Sequence, residues 1–295
     1  MPRRRKYLTL ALIAATLAVL GLLVPAAVAK EHAQWINPAP TPTPTVDAPT
    51  DAPAGGTGGS AGDAASVVNV DFQGEFLGWA MQDSKGALVG ENMTETSSTE
   101  SMVKTWLVAD FLRQHTPSEY DLYRAGQAIR WSDDNHAQVL YEANGGDESI
   151  ERMIEMCGLK DTTVSEGWWS RTQMSPRDAV ALGRCLADGT AAGATWTPWL
   201  INEMRHVEGT TAADEQWETR GGGRWGIIDG VPASSADTVA IKNGWTSVGS
   251  DGSWHLNCLA FTDEWTMSIM MRYPSGLGLD YGAGVCETIA AQLLQ

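Results

Sequence analysis

Basic residues are scarce in this chain of 295 residues. Lys and Arg number 20 against 36 Asp and Glu, a formal net charge of −16, and four of the basic groups (Arg3, Arg4, Arg5 and Lys6) sit together at the N-terminus. A polypeptide so short of positive charge has no patch for phosphate, which excludes nucleic acid and the surface of an anionic membrane as partners. Cysteine is sparse as well. Cys157, Cys185, Cys258 and Cys286 show no Cys-x-x-Cys spacing, and the histidines form no cluster. On those grounds no metal site is expected, and no cofactor is implied. Between residues 38 and 65 apolar side chains run too thin to build a core.

What is present begins with an export pattern. The basic cluster is followed by Tyr7 to Val24, apolar or neutral throughout, and then by Ala27-Val28-Ala29, a small-residue cleavage site. The apolar stretch is also long enough to span a bilayer. Residues 1–29 therefore read as a signal peptide or a single membrane anchor, and either one puts the rest of the chain outside the cell. No cysteine lies nearby to carry a lipid. Residues 30–65 read as a disordered linker. Pro38-Ala39-Pro40-Thr41-Pro42-Thr43-Pro44-Thr45 favours extended conformations, and Gly55 to Gly62 is flexible. Residues 66–295 then form one domain with a large core, with any membrane contact made through the N-terminal segment and a monomer as the expected state. An even number of cysteines in an exported chain predicts disulfides, with three connectivities open.

Within the domain, alternation predicts a strand at Ser66–Phe72 paired with a second at Glu75–Met81. Helical spacing then predicts helices over 101–112, 118–130, 133–142, 147–159, 176–186 and 196–207. Further strands are predicted at 238–242, 254–261 and 265–273, and a helix over 282–294 closes the chain. Two strands, a helical block, three strands and a helix predict an α+β fold, a three-layer α/β/α sandwich. Its antiparallel sheet is built from both chain ends and carries an inserted helical subdomain.

Chemistry concentrates at Ser101 and Lys104, in the run Glu100-Ser101-Met102-Val103-Lys104-Thr105-Trp106. Met102, Val103, Trp106, Leu107, Phe111 and Leu112 predict a buried helix with Ser101 at its N-terminus. Residues three apart on a helix face each other. The Lys104 amine is thus placed beside a hydroxyl whose negative form the helix dipole favours, and a lysine with a lowered pKa can take the serine proton. With nineteen serines and six lysines, one Ser-x-x-Lys is close to chance. The order of the downstream motifs is not. Trp131-Ser132-Asp133-Asp134 comes first and Ile241-Lys242-Asn243-Gly244-Trp245 second, and Ser-x-x-Lys, Ser-Asp-Asn and Lys-Thr-Gly form the motif set of class A β-lactamases and penicillin-binding proteins.

On these residues, with Asn135 through Gly146 and Gly158-Leu159-Lys160-Asp161-Thr162, residues 66–295 resemble the serine β-lactamase and penicillin-binding protein superfamily. The likeness is greatest to its class A-like branch and to β-lactamase-related exported proteins of Gram-positive bacteria. The resemblance implies a β-lactamase/transpeptidase-like fold. It makes Ser101 the acylated nucleophile, Lys104 its base, and Ser132 the relay of a proton to the leaving amine. Lys242 would fix a substrate carboxylate, Gly244 would admit substrate to the strand edge, and the N–H groups of Ser101 and Trp245 would form an oxyanion hole. It also places Cys157 and Cys185 on two helices of the inserted block, and Cys258 on a strand covered by the helix of Cys286, which implies the pairs Cys157–Cys185 and Cys258–Cys286.

Three departures from the family pattern bear on function. Asp134 stands where asparagine is usual; as a carboxylate it cannot donate to substrate, and it favours the charged form of Lys104. A one-residue shift would bring Asn135 there instead. Asn243 replaces threonine and is expected to hydrogen-bond a carboxylate, with bulky Trp245 behind it narrowing the cleft. No Glu-x-x-Leu-Asn segment supplies a deacylating base: Glu166 is the one local carboxylate after Asp161, and a solvated loop position is expected for it, as a structural or surface role is for His136. The residues support two readings. The first is a serine hydrolase acting through a Ser101 acyl-enzyme on cell-wall peptide or a related amide or ester, with inefficient β-lactam turnover. The second is an impaired relative that binds wall material or a protein partner.

Overall fold

The computed structural model describes residues 68–218 and 221–294. The expected export segment 1–29 and the linker 30–65 lie outside the described residues. The strands in chain order are β1 (Phe76–Asp83), β2 (Leu88–Glu91), β3 (Ser97–Ser98), β4 (Gln173–Met174), β5 (Ala240–Val248), β6 (Ser253–Phe261) and β7 (Trp265–Pro274). Five of them make an antiparallel sheet in the order β2-β1-β7-β6-β5, so both chain ends contribute to it. β3 and β4 pair separately. The architecture is the α+β sandwich expected from the element order.

The helices are α1 (Lys104–Gln114), α2 (Glu119–Arg130), α3 (Asp134–Ala143), α4 (Asp147–Cys157), α5 (Pro176–Ala187), α6 (Gly193–Arg205), α7 (Ala213–Glu218) and α8 (Gly278–Leu293). Their starts obey local chemistry. Ser118 makes a reciprocal capping box with Asp121, Asp133 caps α3 through the N–H of His136, and Ser175 caps α5 with Pro176 next in line. α1 is buried without interruption from Lys104 to Leu112, as befits a helix with neighbours on every side.

Alternation along β6 separates the outer layers. Leu259 faces α5, where it closes on Gly183. Cys258 faces the other way and is bonded to Cys286 of α8. The second disulfide joins Cys157 of α4 to Cys185 of α5. Both pairs are those the resemblance implied, and each closes a separation of 28 residues, worth about 3–4 kcal/mol by chain entropy. Among the described residues no helix is long and apolar enough to cross a membrane.

One expectation is corrected. The stretch up to Phe72 is no strand in the described residues. β1 already has β2 on one edge and β7 on the other, so no ladder position remains for it. The segment lies instead on α8: the Asn69 backbone exchanges hydrogen bonds with the Gln292 side chain, and the Phe72 ring stacks on Tyr281 at 6.3 Å. The alternation of Val68, Val70 and Phe72 serves contact with a helix. β2, which replaces it as the partner of β1, is short and mostly exposed, and it lacked an apolar pattern to announce it.

Candidate active site

Ser101 does not open the α-helix. It lies in a 3-10 turn, Glu100–Val103, that leads into α1, and Lys104 is the first α-helical residue. In such a turn side chains three apart eclipse, so Ser101 and Lys104 stay on one side. The turn is pinned from before by Thr99, whose N–H bonds the Thr172 carbonyl. Glu100 itself has φ +48°, a left-handed conformation that side chains avoid and that functional sites store.

Lys104 is fully buried. Its Nζ donates to the Ser132 carbonyl at 2.5 Å, to Asp134 Oδ1 at 2.5 Å and, more weakly, to Ser132 Oγ at 3.3 Å. Lys242, also fully buried, donates to the same Ser132 Oγ at 2.8 Å and to the Asn243 carbonyl at 3.1 Å. Ser132 takes φ +56°, a turn that presents its carbonyl and its hydroxyl to the lysines together. Burial pulls the Lys104 amine below its ordinary range, against the opposing pull of Asp134. Burial, helped by the neighbouring Lys104 charge, pushes Lys242 further down. The carboxylate does not prevail because Asp134 is 78% exposed and water screens its charge. The two amines thus face one hydroxyl, that of Ser132.

Gly244 sits against the Ser101 turn. A Cβ there would lie 2.8 Å from the Ser101 nitrogen and 2.6 Å from the Met102 nitrogen, and would also strike the Thr99 carbonyl. Only glycine lets β5, an edge strand of the sheet, run this close to the turn. Two neighbours on β5 are spent elsewhere. Both N–H groups of the Asn243 amide donate to backbone carbonyls, those of Gly223 and Trp225, each at 2.8 Å. That leaves an acceptor only, so the expected Asn243 contact with a carboxylate is corrected: the side chain ties β5 to the 223–225 loop. Trp245 donates from Nε1 to Gln216 Oε1 and sets its ring edge-on to Trp225 at 5.1 Å.

Asp134, and not the exposed Asn135, meets Lys104. His136 packs edge-on against Tyr123, and Glu166 is exposed on a turn. The ground above Lys104 is taken by Trp169, whose ring centroid lies 5.3 Å from Nζ and whose Nε1 is fixed by Gln138. Neither Trp169 nor Glu100 was given a role from the sequence, although the place of Glu100 beside Ser101 was a signal.

No protein-family model matches the sequence, and no curated protein matches it. Solved structures do. A class A β-lactamase from Mycobacterium abscessus aligns at TM-score 0.55 and 17% identity, over 76% of this chain and 94% of that one. The fold is that of the serine β-lactamases and penicillin-binding proteins. A β-lactamase from Sphaerobacter thermophilus aligns at TM-score 0.58 and 14% identity, over 74% of this chain and 90% of its own. A variant of PBP-A in an acyl-enzyme complex with penicillin G aligns at TM-score 0.56 and 13% identity, over 75% and 89%.

Proposed function

We propose that this chain is an exported serine hydrolase that forms an acyl-enzyme at Ser101 on a cell-wall peptide or a related amide or ester, and releases it slowly. The observation that carries the reading is the buried Lys104–Ser132–Lys242 network beside the Ser101 turn. Neutral Lys104 accepts the Ser101 proton as Oγ bonds to the substrate carbonyl carbon. Lys104 then returns a proton through the Ser132 hydroxyl to the leaving nitrogen as the C–N bond breaks. Lys242, pushed toward neutrality, regains its proton when a substrate carboxylate arrives. The N–H groups of Ser101 and Trp245 receive the oxyanion. Slow release fits Trp169, an indole standing over Lys104 where a base for water would be useful. Export fits the N-terminal pattern and the two disulfides.

Intact-mass measurement of the purified protein with a penicillin tests this. The expected result is a persistent adduct that is absent in Ser101→Ala; no adduct and no hydrolysed drug would sink the reading. The second reading, a binding protein without turnover, draws on one contact, Asp134 on Lys104. Asp134→Asn separates the two. Removing the carboxylate lowers the Lys104 pKa further, so the rise of acylation with pH should move to lower pH. At neutral pH the rate should grow roughly tenfold for each unit by which that pKa falls. A binding site would show no change in acylation.

A further inference from the structure

Asp134, the first residue of α3, joins the buried lysine network to solvent. Its Oδ1 accepts from the Lys104 amine, while the side chain as a whole is 78% exposed. It is the exposed end of the series Asp134–Lys104–Ser132–Lys242. Among the described residues Lys104 is the one hydrogen-bond partner of this carboxylate, and it takes one oxygen. Oδ2 is left to water or to a ligand.

The other charges that act on Lys104 have their own partners. Glu100 has Arg171 at 3.6 Å, and Asp133 accepts from the His136 N–H at the start of α3. Lys242 is turned to Ser132 and to the Asn243 carbonyl. Lys104 alone balances Asp134, and the proposed reaction takes that balance away. To accept the Ser101 proton, Lys104 must be neutral, with two hydrogens and one lone pair. Its two contacts at 2.5 Å, to the Ser132 carbonyl and to Asp134 Oδ1, use the hydrogens and leave the lone pair for Ser101. Asp134 then keeps its hydrogen bond but loses its counter-charge. Substrate meets a carboxylate of full charge with one oxygen open to it.

Polarity then sets the ligand. An ionised carboxylate accepts and cannot donate, so a substrate carbonyl placed there is repelled. An ammonium there makes a charge-assisted hydrogen bond. In the proposed reaction Ser132 and Lys242 serve the leaving group and its carboxylate, which leaves Asp134 for the acyl portion. We propose that Asp134 is a cation subsite, selecting acyl donors that carry an ammonium on the acyl side. The proposal rests on the reading of Ser101 as an acylating serine. It narrows the substrate to zwitterions, with a free amine before the scissile bond and a carboxylate after it.

Benzylpenicillin and ampicillin test it, because they differ by one amino group on the acyl side chain. At about pH 6, where an α-amino group is charged, ampicillin should acylate the protein roughly fivefold faster, the upper worth of an exposed ion pair. The preference should vanish in Asp134→Asn. It should also shrink as salt is raised and fade above about pH 9, where the amine of the probe is neutral. Taking the ratio of the two rates removes the titration of Lys104, which both drugs share. Ser101→Ala gives a readout without acylation. Its dissociation constants for the two drugs, followed by tryptophan fluorescence, should favour ampicillin and become equal when Asp134→Asn is added. Equal ratios in the wild type and in Asp134→Asn would overturn the subsite. A preference for ampicillin in Ser101→Ala, with no adduct formed by the wild type, would leave the subsite standing and remove the reading of Ser101. No adduct and no binding of either drug would remove both.

Discussion

Lys104→Met should cut the rate of Ser101 acylation roughly 10²–10⁴-fold, the usual worth of a positioned general base, and leave the protein folded. The substitution keeps an unbranched apolar stem out to Cε, with sulfur in place of Cδ, and removes the amine. In the wild type that amine is fully buried and bonded to Ser132 and Asp134. A serine hydroxyl with no acceptor for its proton is a weak nucleophile, and Lys242 is held on Ser132, on the far side of the relay. Rapid-quench mass measurement of adduct formation checks the rate; a loss smaller than tenfold would move the base role to another group.

The same variant has a stability consequence with a definite sign. Burial lowers the Lys104 pKa from its ordinary 10.5, so between the folded-state value and 10.5 the unfolded chain binds more protons than the native one. Stability therefore rises with pH through that window. Lys242 is shifted the same way and contributes a second rise. Lys104→Met should remove the first and, by taking away the Lys104 charge that helps hold Lys242 down, shrink the second, as urea unfolding at a series of alkaline pH values would show.

How much of this was legible beforehand divides by sequence distance. Ser-x-x-Lys and Lys-x-Gly are short-range patterns, and so are the apolar spacing behind α2 and the Ser175-Pro176 start of α5, both of which begin within a residue of the expected place. The antiparallel sheet was readable from the order of elements. The network around Glu100 was not legible. Ser98, Glu100, Thr246 and His255, joined by side-chain hydrogen bonds, come together only because Thr246 is the Cα partner of His255 across β5 and β6, and that register is written in no local pattern. Asn243 was misread for a related reason. Its spacing from Lys242 fits a substrate contact, but its amide is claimed by Gly223 and Trp225, residues about twenty positions upstream. Phe72 had strand character and found a helix instead. β-propensity records a fit to a half-buried surface, and α8 offered one.

Gly244→Ala should disturb both sides of the site through a single methyl. The three atoms its Cβ would meet belong to the backbone of Thr99, Ser101 and Met102, and backbone in a pinned 3-10 turn has no rotamer with which to yield. β5 must therefore move outward, or the turn must. Overpacking of this kind costs about 1–3 kcal/mol, roughly 2–4 °C of Tm per kcal/mol in a domain of this size. Function should suffer more than stability. Lys242 and Thr246 flank the substitution on the same strand, one bonded to Ser132 and the other to Glu100, so any displacement of β5 opens both sides of the site together. A misplacement near 1 Å is worth on the order of 10² in rate. Acylation in Gly244→Ala should thus fall about a hundredfold while the far-ultraviolet spectrum stays native. Retained acylation with a lowered Tm would mean that the turn and the strand move as one body, and that their contact is structural and not catalytic.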